Sequence, residues 1–245
     1  MRWRLHLEYD GSGYEGWQLQ GDKPTVQRDV EQALARFLGE PARVRAAGRT
    51  DTGVHAAMQI VCFDTEQPRR PSQVCNGLNS LLPPAIACLG ADVVPDTFDP
   101  RHAPHVKTYR YTYLCRLGRS PLRAGRVWHV RGPLDVPAMD EAVRAVVGTH
   151  DLSTFRAVGC SAATTVRTVE GADVIAVGDE AHLRIHGTGF LRHTVRILAG
   201  SLHEVGRGRR PAGWIAEILA ACDRELAGRT APPEGLMLEA IRYRT

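Results

Sequence analysis

An α+β fold of two tandem ferredoxin-like (RRM-like) units, with mainly antiparallel sheets and a cleft between them, is what this sequence predicts. Three observations carry that prediction. Short stretches alternate apolar and polar residues, as half-buried strands do, and longer stretches carry apolar residues at helical spacing. The resulting order, β-α-β-β-α-β, occurs twice within 245 residues. A hinge-like run at 99–104, holding Pro100 and Pro104, divides a first domain, 1–101, from a second, 102–245.

Taken in order, Trp3, Leu5, Leu7 and Tyr9 alternate with Arg4, His6, Glu8 and Asp10, which predicts the first strand. After a glycine-rich loop, Pro24-Thr25 opens a helix with Val26, Val30, Ala33, Leu34, Phe37 and Leu38 on one face, and Gly39 stops it. A short strand at 42–46 leads into a loop around Asp51, then a strand at 58–64. A helix at 72–82 is ended by Pro83-Pro84, and a strand at 86–94 closes the unit. The second unit opens on an alternating strand at 106–115. A helix at 137–147, stopped by Gly148, is followed by strands at 165–177 and 182–186. A helix at 190–204, an added helix at 211–223 and a closing strand at 237–243 complete it.

Composition narrows the function classes. No apolar run is long enough to span a bilayer, and the charged, alternating N-terminus does not read as a signal peptide. Cys62, Cys75, Cys88, Cys115, Cys160 and Cys222 are scattered without a CxxC pair. That speaks against a zinc ribbon or a thioredoxin-type site and fits a reducing cytoplasm, the expected location. The net charge of +4 is carried almost entirely by arginine, since Lys23 and Lys107 are the only lysines. Arginine's planar fork suits phosphate and base contact, although a GC-rich genome gives the same bias. The clusters Arg69-Arg70, Arg116/Arg119/Arg123/Arg126 and Arg207-Gly208-Arg209-Arg210 fit a basic surface or a solvated face equally.

The chemistry-bearing stretch is Ala47-Gly48-Arg49-Thr50-Asp51-Thr52-Gly53-Val54-His55-Ala56. It presents a carboxylate on a glycine-hinged loop ahead of a strand, where side chains do chemistry, but it also reads as a plain turn. Gly11-Ser12-Gly13-Tyr14-Glu15-Gly16 matches GxGxxG after a strand. A dinucleotide site needs those glycines to open a helix at once, and here Trp17, Gln18, Gly21 and Pro24 intervene. The loop is expected instead to expose Tyr14 and Trp17 for base stacking, or else to pack both rings on the sheet. Tyr109, Tyr111 and Tyr113 alternate and so share one face, as core aromatics or with Tyr109 at a rim. His102 and His105 are three apart but on a Pro-rich linker, and His182 and His186 share a strand face with no acidic partner in HExxH spacing, so a metal site is not expected.

With these features in place, the chain resembles the bacterial tRNA pseudouridine synthase A family over nearly its whole length. The segments that carry the likeness are Tyr9-Asp10-Gly11-Ser12-Gly13-Tyr14-Glu15-Gly16-Trp17-Gln18, the loop from Gly48 to Ala56, and Lys107-Thr108-Tyr109-Arg110-Tyr111. They continue with Asp151-Leu152-Ser153-Thr154-Phe155-Arg156, Gly189-Phe190-Leu191-Arg192-His193-Thr194-Val195-Arg196, Glu204-Val205-Gly206 and Ala231-Pro232-Pro233-Glu234-Gly235-Leu236. The resemblance implies a homodimeric isomerase without cofactor or metal, acting on uridines 38, 39 and 40 of the tRNA anticodon arm. It implies Asp51 as the catalytic aspartate and Arg196 as the arginine that pairs with it. Tyr109 would pack on the target uracil, Arg49 would lie beside the phosphates or the flipped nucleotide, and Leu236 would form the apolar floor of the pocket. Thr52 departs from the family where a small Ala is common, and Asp99 where His or another residue often sits.

Two other classes compete. A non-catalytic RNA-binding protein accounts for the arginines and aromatics, but not for an acid inside an RNA site, where it repels phosphate. A metal-dependent phosphohydrolase would use the histidines with Asp51 and would lose activity on chelation.

Overall fold

A computed structural model describes residues 1–160 and 162–244; Ser161 and Thr245, which fall in the 102–245 range, lie outside the described residues. The chain is a mixed α+β protein with five α-helices among the described residues and mostly antiparallel sheets. It divides into two compact units, Met1–His105 with Leu238–Thr245, and Val106–Met237.

In the first unit, β1 (Arg2–Tyr9) lies at the centre, antiparallel to β3 (His55–Asp64) on one side and β4 (Ile86–Val94) on the other. The two-residue β2 (Arg45–Ala46) pairs with β3. The last strand, β10 (Leu236–Tyr243), also lies beside β3, so the segment read as closing the second unit groups with the first from Leu238 onward. Alternation on β1 puts Trp3, Leu5 and Leu7 in the core, each fully buried. They share that core with Val26, Val30 and Leu34 of α1 (Val26–Leu38) and Val74 and Leu78 of α2 (Pro71–Asn79). The ends of α1 fall where the sequence places them. The Thr25 side chain accepts a hydrogen bond from the Arg28 amide, and Gly39, at φ 77°, returns its amide to the Ala35 carbonyl.

Two elements here are shorter than the sequence suggests. The Val44 amide is taken by Glu31 Oε1 at 3.1 Å, which removes it from the ladder and leaves β2 two residues long. Helix α2 stops at Asn79 because that side chain is committed to β4: Oδ1 accepts from the Cys88 amide and Nδ2 donates to the Cys88 carbonyl.

In the second unit, β5 (His105–Cys115) pairs antiparallel with β9 (Glu180–Gly187), β9 with β8 (Val166–Val177), and β8 with β7 (Gly148–Asp151). A short β6 (Trp128–Val130) runs parallel to β5. The sequence missed β6 and β7, since neither is long enough for alternation to stand out. Helices α3 (Val136–Val143), α4 (Thr194–Gly206) and α5 (Trp214–Ala221) supply the other layer. Helix α3 tightens into a 3₁₀ turn over Arg144–Val146 before Gly148 at φ 122°. Helix α4 begins four residues later than expected, because His193 sits in the left-handed region at φ 64° and breaks the helical run from Phe190. No helix among the described residues is long and apolar enough to cross a membrane.

Burial holds the His203 pKa below its ordinary value of 6.5, with Arg229 and Arg207 adding to the effect and Glu204 opposing it. Folding is then favoured while the imidazole is neutral and is opposed as pH falls through the ordinary histidine range. Asp151, held down first by the Ser153 hydroxyl, and Asp140, held down first by the Val174 amide, have carboxyls below their ordinary 3.8. Their contribution is present above that value and is lost below it. Thermal unfolding midpoints are therefore expected to fall in a first step below about pH 7 and again below about pH 4. They should fall also above about pH 9, where the Cys62 and Cys88 thiols, pushed up to about 12 by burial, ionise only on unfolding. In His203→Gln melts the first step should be shallower than in wild type; an unchanged step would show that other groups cause it.

Candidate active site

The loop from Ala47 to Val54 joins β2 to β3, and the segment after β1 holds it from below. Main-chain bonds do much of this: the Trp17 amide donates to the Thr50 carbonyl at 3.0 Å and the Gly53 amide to the Tyr14 carbonyl at 3.2 Å. Within the loop, the Val54 amide donates to the Asp51 carbonyl at 3.1 Å. Buried side chains add to it. Tyr9 Oη and Thr50 Oγ1 are 2.8 Å apart, and Gln59 Nε2, on a fully buried residue, donates to the Gly48 carbonyl at 3.0 Å. Desolvation pushes the Tyr9 phenol up to about 12, so it stays protonated and able to share that bond.

The glycine motif now has a physical role, and it is not a nucleotide cradle. Gly11 packs so tightly on the Val54 carbonyl that a Cβ there would overlap it. Gly16 has φ 89°, and a Cβ would stand 2.7 Å from the Thr50 carbonyl oxygen and 3.1 Å from the Thr52 amide nitrogen. Two backbones approach here more closely than any side chain allows. The Gly11 amide donates to His55 Nδ1 at 3.2 Å, and the same nitrogen is 3.1 Å from Asp10 Oδ1. Thr52 uses its hydroxyl to donate to Glu15 Oε2 at 3.2 Å, a contact that an alanine at this position would lack.

This overturns the expectation of an exposed stacking loop. Tyr14 and Trp17 are both buried, the Tyr14 hydroxyl donating to Asp29 Oδ2 at 2.8 Å and the Trp17 ring lying 6.0 Å from that of Tyr9. On top of this anchored base, Asp51 is half-buried and Arg49 is exposed.

Tyr109, Arg196 and Leu236 belong to the second unit. Tyr109 is the outermost of the three aligned tyrosines. The other two are core residues, Tyr111 donating to the Pro232 carbonyl at 2.9 Å and Tyr113 to the Ala199 carbonyl at 2.8 Å. Tyr109 meets Phe190 edge to face, with ring centroids 5.4 Å apart. The sequence did not reveal that contact, nor those of Gln59 with the Gly48 carbonyl and His55 with the Gly11 amide. The signal for Gln59 was a polar residue inside an apolar strand run. Gly235 stands against the Tyr111 ring, where a Cβ would come within 2.6 Å, and this packing sets the buried Leu236 at the start of β10.

Arg196 lies in the first turn of α4, half-buried, with Nε donating to the Ala231 carbonyl at 2.8 Å. A cation in the first turn of a helix opposes the macrodipole and is disfavoured by about 0.3–1 kcal/mol. An arginine fixed there is well suited to hold an anion. Among the described residues no three His, Cys, Asp or Glu side chains converge as a metal would need, and His182 is engaged by Glu180 at 2.8 Å.

Comparison with known proteins follows the same outline. The family model described as tRNA pseudouridine synthase matches residues 6–102 and 142–244. Among curated proteins, the chain is similar to tRNA pseudouridine synthase A of Myxococcus xanthus, 48% identical over 244 residues, covering 99% of this chain and 92% of that one. It is 46% identical over 240 residues to the protein of the same name from Geobacter sulfurreducens, covering 98% of each. To that of Bordetella petrii it is 45% identical over 244 residues, covering 99% of this chain and 91% of the other.

Proposed function

The chain belongs to the tRNA pseudouridine synthase family and is an isomerase acting on tRNA, and on that premise we propose that it converts uridines 38, 39 and 40 of the anticodon stem-loop to pseudouridine with Asp51 as nucleophile. The observation that carries this reading is the anchoring of the Asp51 loop. A carboxylate is mounted, half-buried, on a backbone clamped by Gly11, Gly16, Tyr9 and Gln59. Nothing in an ordinary surface turn calls for so many long-range bonds.

The reaction breaks the bond between ribose and a uracil nitrogen, turns the base and rejoins it through carbon. The proton leaves that carbon and the nitrogen regains one, so no redox partner or added group is needed. The Asp51 carboxylate serves as the nucleophile. Arg196 is its partner: with Nε engaged by Ala231, its terminal nitrogens face the task of holding the charged form. Tyr109, braced by Phe190, packs on the extruded uracil and relays the proton, and Leu236 is the apolar floor that keeps water from the detached base. Arg49, exposed beside the carboxylate, contacts the phosphates of the target nucleotide.

The architecture proposed for this work is the tandem ferredoxin-like one, with domains 1–101 and 102–245, the strand from Leu238 onward grouping with the first. The strand order β4-β1-β3, with β2 on β3, supports it for the first unit. The enzyme is further proposed to act as a homodimer in the cytoplasm.

Purified protein incubated with unmodified tRNA transcript, without added metal, is expected to yield pseudouridine mapping to positions 38–40. A product elsewhere in the tRNA would overturn the site assignment, and no product would overturn the whole reading. Arg196→Lys is expected to lower kcat about 100-fold or more in single-turnover assays, since an ammonium cannot supply the planar fork. Wild-type turnover in that variant would take Arg196 out of the site.

A further inference from the structure

The inner face of the second unit carries a feature that the proposed chemistry does not use. Trp128 of β6 sits in register with Tyr113 of β5, its ring 5.7 Å from that of Tyr113 and 4.6 Å from that of His203 on α4. Over the outer side of the indole lies the guanidinium of the exposed Arg229, 4.7 Å from the ring centroid. The loop segment that delivers Arg229 is fixed to α4 by a close backbone contact. Gly228 packs on Ser201, where a Cβ would come within 2.8 Å of Cα, and Gly200 abuts the Arg229 carbonyl. The Gly228 amide donates to Ser201 Oγ at 2.9 Å, and Arg224 Nη1 donates to the Gly228 carbonyl at 3.1 Å.

Beyond His203 the same surface continues with Arg207, whose Nη1 donates to the Arg131 carbonyl at 2.9 Å and so brings the exposed Arg131 alongside. The influence of both Arg229 and Arg207 on His203 agrees with this layout. Among the described residues, none of Arg131, Arg207 and Arg229 forms an ion pair. The acids nearby are occupied or lie at one end: Glu204 binds Arg209 at 3.2 Å and His203 at 3.3 Å, and Glu234 lies by Tyr111.

Three guanidinium groups held on neighbouring supports, without carboxylates between them, repel one another until an anion with repeating charge arrives. A stacked arginine also loses little side-chain freedom on binding, because the indole has already fixed its plane. Along β5, Tyr113 is four residues from Tyr109, or roughly 14 Å at the usual strand rise. That distance puts Arg229 a few nucleotides from the uracil site.

We propose that Arg229, Arg207 and Arg131 form a track for the tRNA sugar-phosphate backbone, with Trp128 as the platform that presents Arg229. The track rests on the reading of Tyr109 as the uracil platform and adds the residues that carry substrate affinity in the second unit. Its contacts are to phosphate, so they hold substrate and transition state alike and act on KM more than on kcat.

The test is tRNA binding across a salt series for wild type, Arg229→Gln, Arg207→Gln, Arg131→Gln and the charge-matched control Arg36→Gln on α1, with turnover measured beside it. Each track variant is expected to weaken binding roughly fivefold at low salt and to reduce the slope of log K against log salt by about one. KM should rise with kcat within about twofold of wild type. Arg229→Lys should keep most of the slope, which would show that the loss in Arg229→Gln is not one of folding. An unchanged slope in Arg229→Gln, an equal loss in Arg36→Gln, or altered oligomeric state with unaltered tRNA affinity would overturn the track. Wild-type protein that binds tRNA through these arginines but makes no pseudouridine would overturn the proposed function and leave the track standing.

Discussion

Asp51→Ala is expected to abolish pseudouridine formation, by at least about 10⁴-fold in kcat, while tRNA affinity stays within a small factor of wild type. The two effects separate because main-chain bonds and the buried side chains of Tyr9, Thr50 and Gln59 hold the loop. The Asp51 carbonyl accepts the Val54 amide, and that bond survives any substitution of the side chain. Thr50, Gly48 and Gly53 remain tied to Tyr9, Gln59 and the Tyr14 carbonyl. Removing an anion from a phosphate-binding surface also lowers repulsion, so affinity has no electrostatic reason to fall. Asp51→Asn keeps the shape and should be as inactive. Gel-shift binding with mapping of isomerised uridine on the same samples reads both quantities. Residual turnover in either variant would mean that the nucleophile lies elsewhere.

The second large effect concerns Gly16. An alanine there must adopt φ 89° and place its Cβ 2.7 Å from the Thr50 carbonyl oxygen, with the Asp51 carbonyl carbon and Thr52 amide nitrogen each 3.1 Å away. All three contacts are main chain, so no side chain can swing aside. Strain of this kind costs about 1–3 kcal/mol, and the loop is expected to relieve it by moving. Gly16→Ala should lose about 100-fold in kcat, because a displacement of about 1 Å at a reacting group has that cost. Gly13→Ala is the internal control: a Cβ there meets nothing within 4 Å, and both activity and melting temperature should be close to wild type. Equal behaviour of the two variants would show that the clamp does not position the carboxylate.

Much of this was legible in the sequence, and several of the parts that were not depend on residues distant along the chain or on a single backbone conformation. Helix α1 was written out locally, with a hydroxyl N-cap at Thr25, an apolar stripe and a terminal glycine, and it forms over Val26–Leu38 as read. The tyrosines of β5 share a face because strands alternate, whatever their surroundings. Failures came where a distant residue decides. Glu31 takes the Val44 amide from the β2 ladder, Asn79 is drawn to β4, and His193 adopts a left-handed conformation that delays α4. The GxGxxG stretch packs Gly11 and Gly16 on the main chain of Val54 and Thr50, respectively. Its aromatics, Tyr14 and Trp17, are buried, because their partners Asp29 and Tyr9 are set by tertiary packing. Sequence periodicity reports which way a side chain points but not what it meets.

The clamp under Asp51 has one more implication, for how the molecule comes to be active. Its contacts join positions far apart along the chain: Tyr9 with Thr50, Gly11 with His55 and Glu15 with Thr52 are separated by 41, 44 and 37 residues. Such contacts form only after the intervening polypeptide has been closed into a loop, an entropic cost that local helices do not face. The Asp51 loop thus takes its position only once the long-range pairings of the first unit have formed.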